Sequence, residues 1–413
     1  MADRPTRNAE RPPTMSLRLD AAAAERPNAG PTITRGDADG KRPPGDRVPP
    51  RLHAVHDDEL LDAAGYAVGI DVGGTNTKLG LVDPNGQIVF RETVATEELS
   101  DPNAACERFA MFAADAIAAC DPDAAAAVAV GVAVPGILNG PTGELDYVAN
   151  LPAWRRFPLK DALEQTFNGP VAVANDANAA AFAEHSVRNL QNESLALLTL
   201  GTGIGCGVVL DGQPFSGDHG CGFEVGHVPV DFAPTARRCG CDKPGHLEAY
   251  VGAAGVILTA REQLAASPHQ SPGLHRLDAD NLLTPEKIAS EAEAGDIGSQ
   301  RTVDLTARWV GIAASLIGQT LDPAYILLGG AMTFGGASSA TGRRFLAEVI
   351  ASSRTYSLDH VADRVEIAFA TLGNDAGICG ISELARLGVA DADGESGPAA
   401  VAPARRSVAV AQS

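Results

Sequence analysis

The chain has 413 residues, 45% of them hydrophobic and 20% charged, which is globular composition with room for two or three domains at roughly 100–200 residues each. Fifty-two acids against 32 Lys and Arg leave a net charge of −20, which repels phosphate backbones and anionic headgroups and so argues against nucleic acid or a membrane surface as partner. The longest apolar run, 124–138, is broken by Gly131 and Pro135 and is too short to span about 30 Å of hydrocarbon; seven scattered cysteines and a start without an apolar signal segment point to a reducing cytoplasm.

Residues 1–60 hold nine prolines in their first fifty positions, no aromatic residue, and ten basic against ten acidic side chains. Such a segment buries too little apolar area to offset its ordering entropy, and is expected to be a disordered tail. The acidity therefore belongs to the body, which begins near Tyr66, while from about residue 390 the chain turns to Ala, Gly, Pro and Ser, a second loose tail. In between, short β-rich runs alternate with longer helical patterns, an α/β signature. Strands are predicted at 66–71, 77–83, 87–92, 128–133, 171–174, 195–200, 206–210, 324–328 and 365–370, and helices at 103–120, 158–167, 177–189, 248–264, 285–293, 301–321, 344–352 and 375–387. One pattern occurs twice, in 66–86 and 195–212: a strand, a Gly-rich turn, a second strand, then a tight turn made of Pro84-Asn85-Gly86 or Asp211-Gly212, residues that tolerate positive φ.

The first Gly-rich turn reads Asp71-Val72-Gly73-Gly74-Thr75-Asn76-Thr77-Lys78. It joins two strands, so it is neither a dinucleotide fingerprint nor a Walker loop, both of which open a helix. A hairpin of this kind offers backbone N–H groups and a hydroxyl to a phosphate, with Asp71 able to hold a hydrated Mg²⁺; an ordinary glycine hairpin is the alternative, and the flanking Asp and Lys weigh against it. The second turn, Leu200-Gly201-Thr202-Gly203-Ile204-Gly205-Cys206-Gly207, repeats the logic, and the pair is expected to face one nucleotide across a cleft. Asn175-Asp176-Ala177-Asn178 lies where a strand meets a helix, the place where α/β sheets bind ligands. A carboxylate there can accept a proton from an attacking hydroxyl, although Asp and Asn are also favoured helix caps. Finally, His227, Cys239, Cys241 and His246 offer four N/S ligands, which suits a closed tetrahedral zinc site, with Lys243-Pro244-Gly245 as the turn that brings His246 back. Cys106, Cys120, Cys206, Cys221 and Cys379 read as small apolar fillers.

Jointly these segments resemble the ROK (repressor/open-reading-frame/kinase) family of sugar kinases over about residues 66–388. The resemblance rests on the Asp71–Lys78 hairpin, Val134-Pro135-Gly136, Asn150-Leu151-Pro152 with Trp154, Asn175-Asp176-Ala177-Asn178, the Gly201–Gly207 hairpin, Glu224-x-Gly-His227, the Cys-x-Cys turn, Leu328-Gly329-Gly330 and Gly373-Asn374-Asp375-Ala376-Gly377. It implies the actin-like ATPase fold, two RNase-H-like lobes around a cleft. The expected layout is a tail at 1–62, a small lobe at 63–190, a large lobe with the zinc loop at 191–374, a helix at 375–389 returning to the small lobe, and a tail at 390–413. It also implies that a sugar 6-hydroxyl attacks the γ-phosphate of ATP, with glucose the expected acceptor. Carried over residue by residue, Asp176 matches the general base, and Gly136, Asn150, Asn175, Glu224, His227 and Glu248 fall on the sugar side. Asp71, Gly73, Gly74, Thr75 and Lys78, with Gly201, Thr202 and Gly203, fall on the phosphate and Mg²⁺ side, and Gly329 and Gly330 on the adenosine side. His227 would also be a zinc ligand, so that the metal sets the loop carrying Glu224 and Glu248.

The chain departs from the family pattern at four places: His246 stands for a third cysteine, Asp242 and Phe223 stand for glycines, and Cys206 replaces a common glycine in the second hairpin. Phe223 bears on the sugar pocket. Mannose, fructose, N-acetylmannosamine and N-acetylglucosamine present similar hydroxyls to glucose, and polyphosphate fits the same hairpins as ATP. Members of the family also serve as sugar-responsive repressors beneath an N-terminal helix-turn-helix, a pattern that the Pro-rich, charge-balanced stretch before Tyr66 does not show. A catalytically dead sensor sits badly with intact Asp71 and Asp176. The expected partners are a sugar and ATP, with no nucleic acid and no membrane, in a cytoplasmic homodimer.

Overall fold

The structure, a computed structural model, describes residues 65–120, 128–140, 142–148 and 151–392; the tail expected at 1–62, Asn150 and the chain beyond residue 392 lie outside the described residues. In chain order the first half runs β1 (Ala67–Val72), β2 (Asn76–Val82), β3 (Ile88–Ala95), α1 (Pro102–Cys120), β4 (Ala129–Val134), β5 (Ile137–Asn139), β6 (Glu144–Tyr147), α2 (Leu159–Phe167), β7 (Ala172–Asn175) and α3 (Asp176–Val187). The second half runs β8 (Leu195–Leu200), β9 (Ile204–Leu210), β10 (Gln213–Pro214), α4 (Glu248–Val251), α5 (Ala253–Ala266), α6 (Pro272–Ala279), α7 (Pro285–Glu293), α8 (Ile297–Leu321), β11 (Tyr325–Gly329), α9 (Ala340–Tyr356), α10 (Asp359–Ala362), β12 (Glu366–Phe369) and α11 (Ala376–Ala392).

The repeat seen in the sequence is a duplication of topology. The sheet orders are β3-β2-β1-β4-β7 and β10-β9-β8-β11-β12, and in each the first three strands are antiparallel while the last two run parallel to the first. This is the α/β, duplicated RNase-H-like arrangement of the actin-like ATPase fold. Both tight turns use the expected geometry, with positive φ at Gly86, Asp211 and Gly212. The parallel strands are Val- and Leu-rich because both faces are covered, and separate apolar cores form over each sheet.

Helix α3 joins the two halves through small residues. A Cβ on Gly207 of β9 would lie 1.9 Å from the carbonyl oxygen of Ala177, and one on Gly380 of α11 would lie 1.8 Å from that of Ala179, so neither neighbour could approach α3 with a side chain there. Helix α11 returns to the first sheet in the same way, over Gly69 and Gly131, and extends beyond the expected helix into the stretch read as tail. The connection is fixed by a buried carboxylate. Glu184 of α3 accepts the N–H groups of Thr371 and Leu372, each at 2.7 Å, and the Thr371 hydroxyl at 2.9 Å, and pairs with Arg188, whose guanidinium also donates to Phe369 O. Among the described residues no helix is long and apolar enough to cross a membrane.

Several elements differ from the sequence reading. The short β5–β6 hairpin, β10, α6 and α10 were not predicted, being too brief for a clear period, and the helix expected at 248–264 is broken at Gly252 into α4 and α5. Of the five cysteines read as fillers, Cys106 and Cys206 are buried, whereas Cys120 and Cys221 are exposed.

Replacing Glu184 by Ala strands two backbone donors and the Arg188 charge, and is expected to cost about 3–5 kcal/mol, the range for breaking a buried pair. Urea unfolding should show a clearly lower midpoint, and an unchanged midpoint would mean that the lobes do not depend on this clamp.

Candidate active site

The first hairpin owes its shape to register. Asp71 and Lys78 are directly opposed in the antiparallel β1–β2 pair, which brings Nζ of Lys78 to 3.5 Å from the Asp71 carboxylate and 3.2 Å from the carbonyl oxygen of Asn374. The turn is held from behind by Thr96, whose hydroxyl donates to Gly73 O at 2.8 Å and whose N–H donates to Thr75 O at 2.9 Å, leaving Gly74 and Thr75 facing solvent. Thr96 escaped the sequence reading, since a lone Thr after a strand carries no signal of a long-range bond. The Asp71 side chain is 14% exposed, and burial holds its pKa above the usual carboxylate range in spite of Lys78.

The second hairpin is closed by a different acid. Gly201 N–H donates to Gly203 O at 3.0 Å, and Ile204 N–H donates to Oε2 of Glu248 at 3.0 Å. Gly330, with φ of 88°, turns directly over the end of β8, where a Cβ would lie 2.3 Å from Leu200 O. The Gly329-Gly330 turn therefore sits beside the Gly201–Gly203 hairpin.

Asp176 opens α3 at the end of β7, and its Oδ1 accepts the N–H of Ala177 at 2.9 Å. Asn175 is the N-cap: its Oδ1 accepts the N–H groups of Ala177 and Asn178 at 2.9 and 3.2 Å, and its Nδ2 donates to Gly136 O at 3.1 Å. Asn175 and Gly136, both expected on the sugar side, thus hold one another. Asn178 ties α3 to the second half through Val208 N–H and the Ser216 hydroxyl. Asp176 is left as the first helical residue, and burial pushes its pKa up to about 6, with the Asp71 carboxylate second and that of Glu224 a lesser cause. Asp71, Asp176 and Glu224 therefore share one electrostatic environment. Glu224 is itself raised, by burial and the nearby Glu248 charge, with His227 opposing.

Glu224 precedes a single turn of 3₁₀ helix whose last residue is His227, and the loop beyond it folds back on itself. Backbone bonds from Val230 to Gly245, from Gly245 to Arg237, and from Leu247 to Val228 bring His227, Cys239, Cys241 and His246 together. Their ligand atoms all lie within 4.8 Å of one another; Cys239 Sγ is 3.6 Å from His227 Nδ1, and Cys241 Sγ is 3.2 Å from His246 Nδ1. In a tetrahedral site with bonds of about 2.0–2.3 Å, ligand atoms stand about 3.4–3.8 Å apart, so this donor set fits zinc. Burial and the neighbouring His227 lower the pKa of His246, which favours the neutral imidazole that a metal needs. Arg237 braces the loop: its guanidinium donates to Ala249 O, Gly255 O, Thr259 and Glu262 and stacks over the Tyr250 ring. Two of the family departures keep the backbone that glycine would have. Asp242 has φ of 64° and Phe223 φ of 58°, and the Phe223 ring packs edge-on against Phe215 with centroids 5.8 Å apart.

Comparison with known proteins agrees with this geometry. Residues 67–387 match the model of the ROK family. A glucokinase of Halalkalibacterium halodurans is 32% identical over 316 residues, covering 76% of this chain and 93% of that protein. An N-acetylmannosamine kinase of Escherichia coli is 29% identical over 319 residues, covering 77% and 98%. Among solved structures, the ROK family glucokinase of Streptomyces griseus in complex with glucose and AMPPNP superposes with a TM-score of 0.63 at 28% identity, covering 78% of this chain and 100% of that one. With its twin sheets, its two glycine hairpins and a family match across the folded body, the chain belongs to the ROK family.

Proposed function

We propose that the chain is an ATP-dependent hexose kinase that transfers the γ-phosphate to the 6-hydroxyl of a sugar, glucose first. The observation that carries this is the position of Asp176: a carboxyl at the start of α3, next to the Asn175–Gly136 pair and within electrostatic reach of Asp71 on the first hairpin and of Glu224. The glucokinase relative and the structural neighbour that holds glucose and AMPPNP support the same activity. N-acetylmannosamine is the second candidate acceptor, favoured by the E. coli relative.

In this reading Asp176 accepts the proton of the attacking hydroxyl as the O–P bond forms, while Glu224, His227, Glu248, Asn150 and the Asn175–Gly136 pair orient the sugar. A carboxylate accepts from two neighbouring hydroxyls, which is why acids suit a ligand dense in O–H groups. The exposed Gly74 and Thr75, with Gly201, Thr202 and Gly203, receive the phosphates, Lys78 adds positive charge, and Gly329-Gly330 borders the adenosine. Asp71 would hold Mg²⁺, a hard ion that keeps most of its waters and needs only one or two protein carboxylates; when bound it neutralises charge on the phosphates. His227, Cys239, Cys241 and His246 would hold a structural zinc that stiffens the loop between Glu224 and Glu248. A cytoplasmic homodimer is part of the same proposal.

In a coupled phosphorylation assay over hexoses and N-acetylhexosamines, with ATP and polyphosphate as donors, glucose with ATP is expected to give the highest kcat/KM. Asp176→Asn keeps the shape and one acceptor oxygen but takes no proton, so kcat should fall by roughly 10²–10⁴ with sugar affinity changed at most a few-fold. Because Asn175 is the N-cap of α3 and Asn at 176 keeps an acceptor for the Ala177 N–H, thermal stability should hold; near-normal kcat would reject the base assignment.

The raised pKa of Asp176 sets the acid limb. Below pH about 6 the carboxyl is protonated and cannot serve as base, so kcat/KM should decline about tenfold per pH unit there and level off above it. A limb unmoved in Asp176→Glu, whose carboxyl must sit differently, would assign the titration to another group.

For the metal, elemental analysis should find one zinc per chain. Cys239→Ser is expected to release it, lower the melting temperature and weaken sugar binding, since the loop that aims Glu224 loses its anchor. Freshly purified protein without zinc would end this assignment.

A further inference from the structure

The side chains of β1 divide between two faces. Val68, Ile70 and Val72 belong to the first apolar core, so the period of two puts Gly69 and Asp71 on the opposite face, against α11. Both positions meet the helix closely. A Cβ on Gly69 would lie 2.5 Å from Ile378 O, and a Cβ on Gly377, in the first turn of α11, would lie 2.5 Å from Cγ of Asp71, 2.6 Å from its Oδ2 and 2.8 Å from its Oδ1. All three atoms of the carboxylate thus rest on bare main chain. Gly377 lies in regular helix without a positive φ, so the backbone does not call for glycine there; the Asp71 carboxylate does. Lys78 holds the same carboxylate at 3.5 Å and reaches on to Asn374 O at 3.2 Å, in the turn that leads into α11, where Asp375 pairs with Arg91 at 2.8 Å.

We propose that Gly377 is a positioning residue for Asp71: the bare first turn of α11 lets the carboxylate lie in the orientation that serves the metal of the bound nucleotide, and a side chain there turns it away. This rests on the reading of Asp71 as the residue that holds Mg²⁺. Alanine favours a helix over glycine, so Gly377→Ala does not weaken α11 by itself. What gives way is the end of the Asp71 side chain, which can rotate where main chain cannot. The cost of the substitution therefore falls on the aim of one carboxylate and not on the fold. A glycine needed only for helix packing behaves otherwise: its replacement lowers stability whatever stands at position 71, and it leaves the metal dependence of nucleotide binding untouched.

The test is calorimetric titration of the full chain with AMPPNP, without sugar, over a series of Mg²⁺ concentrations and in EDTA, beside thermal melting. Gly377→Ala is expected to need about 10- to 100-fold more Mg²⁺ for the same gain in AMPPNP affinity, the range for losing a group that orients a metal ligand, while the melting temperature and the affinity in EDTA hold. In an Asp71→Ala background, where no carboxylate is left to displace, Gly377→Ala should change the Mg²⁺ dependence no further. Should Gly377→Ala unfold the chain, melting decides: adding Asp71→Ala must restore the fold, and a double variant as unstable as the single one overturns the inference. An Mg²⁺ dependence equal to that of the unaltered chain, or an affinity lost equally in EDTA, also overturns it and leaves the kinase reading standing. An unaltered chain whose AMPPNP affinity ignores Mg²⁺ overturns the reading of Asp71 and the inference with it, and one that binds no AMPPNP at all overturns the kinase reading as well.

Discussion

The body of this protein turns on the thickness of α3. Two backbones, β9 on one side and α11 on the other, come so close to it that the opposing positions have no room for a Cβ, and Gly207 and Gly380 meet that requirement. The helix answers with Ala177, Ala179, Ala181 and Ala183 along its length. Apolar area is the weaker part of this contact; what matters is that rigid main chain meets rigid main chain, with few rotamers to absorb a change. The residue at the head of such a helix inherits its rigidity. Asp176 and its cap Asn175 occupy that head, so the group proposed to take the proton is held by an element that main chain presses on from two sides.

Around that point the electrostatics are uniformly acidic. Asp71, Asp176 and Glu224 all have pKa values raised by burial, and Asp176 is raised further by its neighbours. Among these acids Lys78 is the cation in ion-pair reach of Asp71. A cleft of this kind lowers its own energy by taking up cations and hydroxyl donors, which matches a hydrated divalent ion on one side and a polyol on the other. The family match and the electrostatics therefore point the same way for independent reasons.

Much of this was legible before any coordinates. The recurring strand–turn–strand pattern marked both sheets, and the Cys-x-Cys turn with His227 and His246 marked a cluster whose ligand atoms do converge. Local chemistry was the source in each case: tight turns, metal-ligand spacing and apolar runs are written in neighbouring residues. What escaped was set by contacts distant in sequence. The bonds of Thr96 to Gly73 and Thr75, the grip of Glu184 on Thr371, the clamp between Asn175 and Gly136, and the break at Gly252 all depend on partners that no local pattern reveals. The glycine-like backbone at Phe223 is intermediate, since the family pattern flagged the position and the positive φ explains why glycine suits it.

The return of α11 to the first sheet has a consequence for how the molecule is made. Its residues cover the glycine-lined face of β1 and β4, and Arg386 donates to the carbonyl oxygens of Gly65, Val82 and Asp83, so the first lobe is built from both ends of the described chain. The second sheet also draws on that helix, since Leu195, Leu197, Val209 and Leu327 share a core with Ala180 and Phe182 of α3 and with Ala376 of α11. On a ribosome the N-terminal sheet emerges first, yet its glycine-lined face waits uncovered until the last helix arrives. Both sheets are thus finished by the same late element, and the folded ends are stitched together like the two edges of a belt by a single guanidinium.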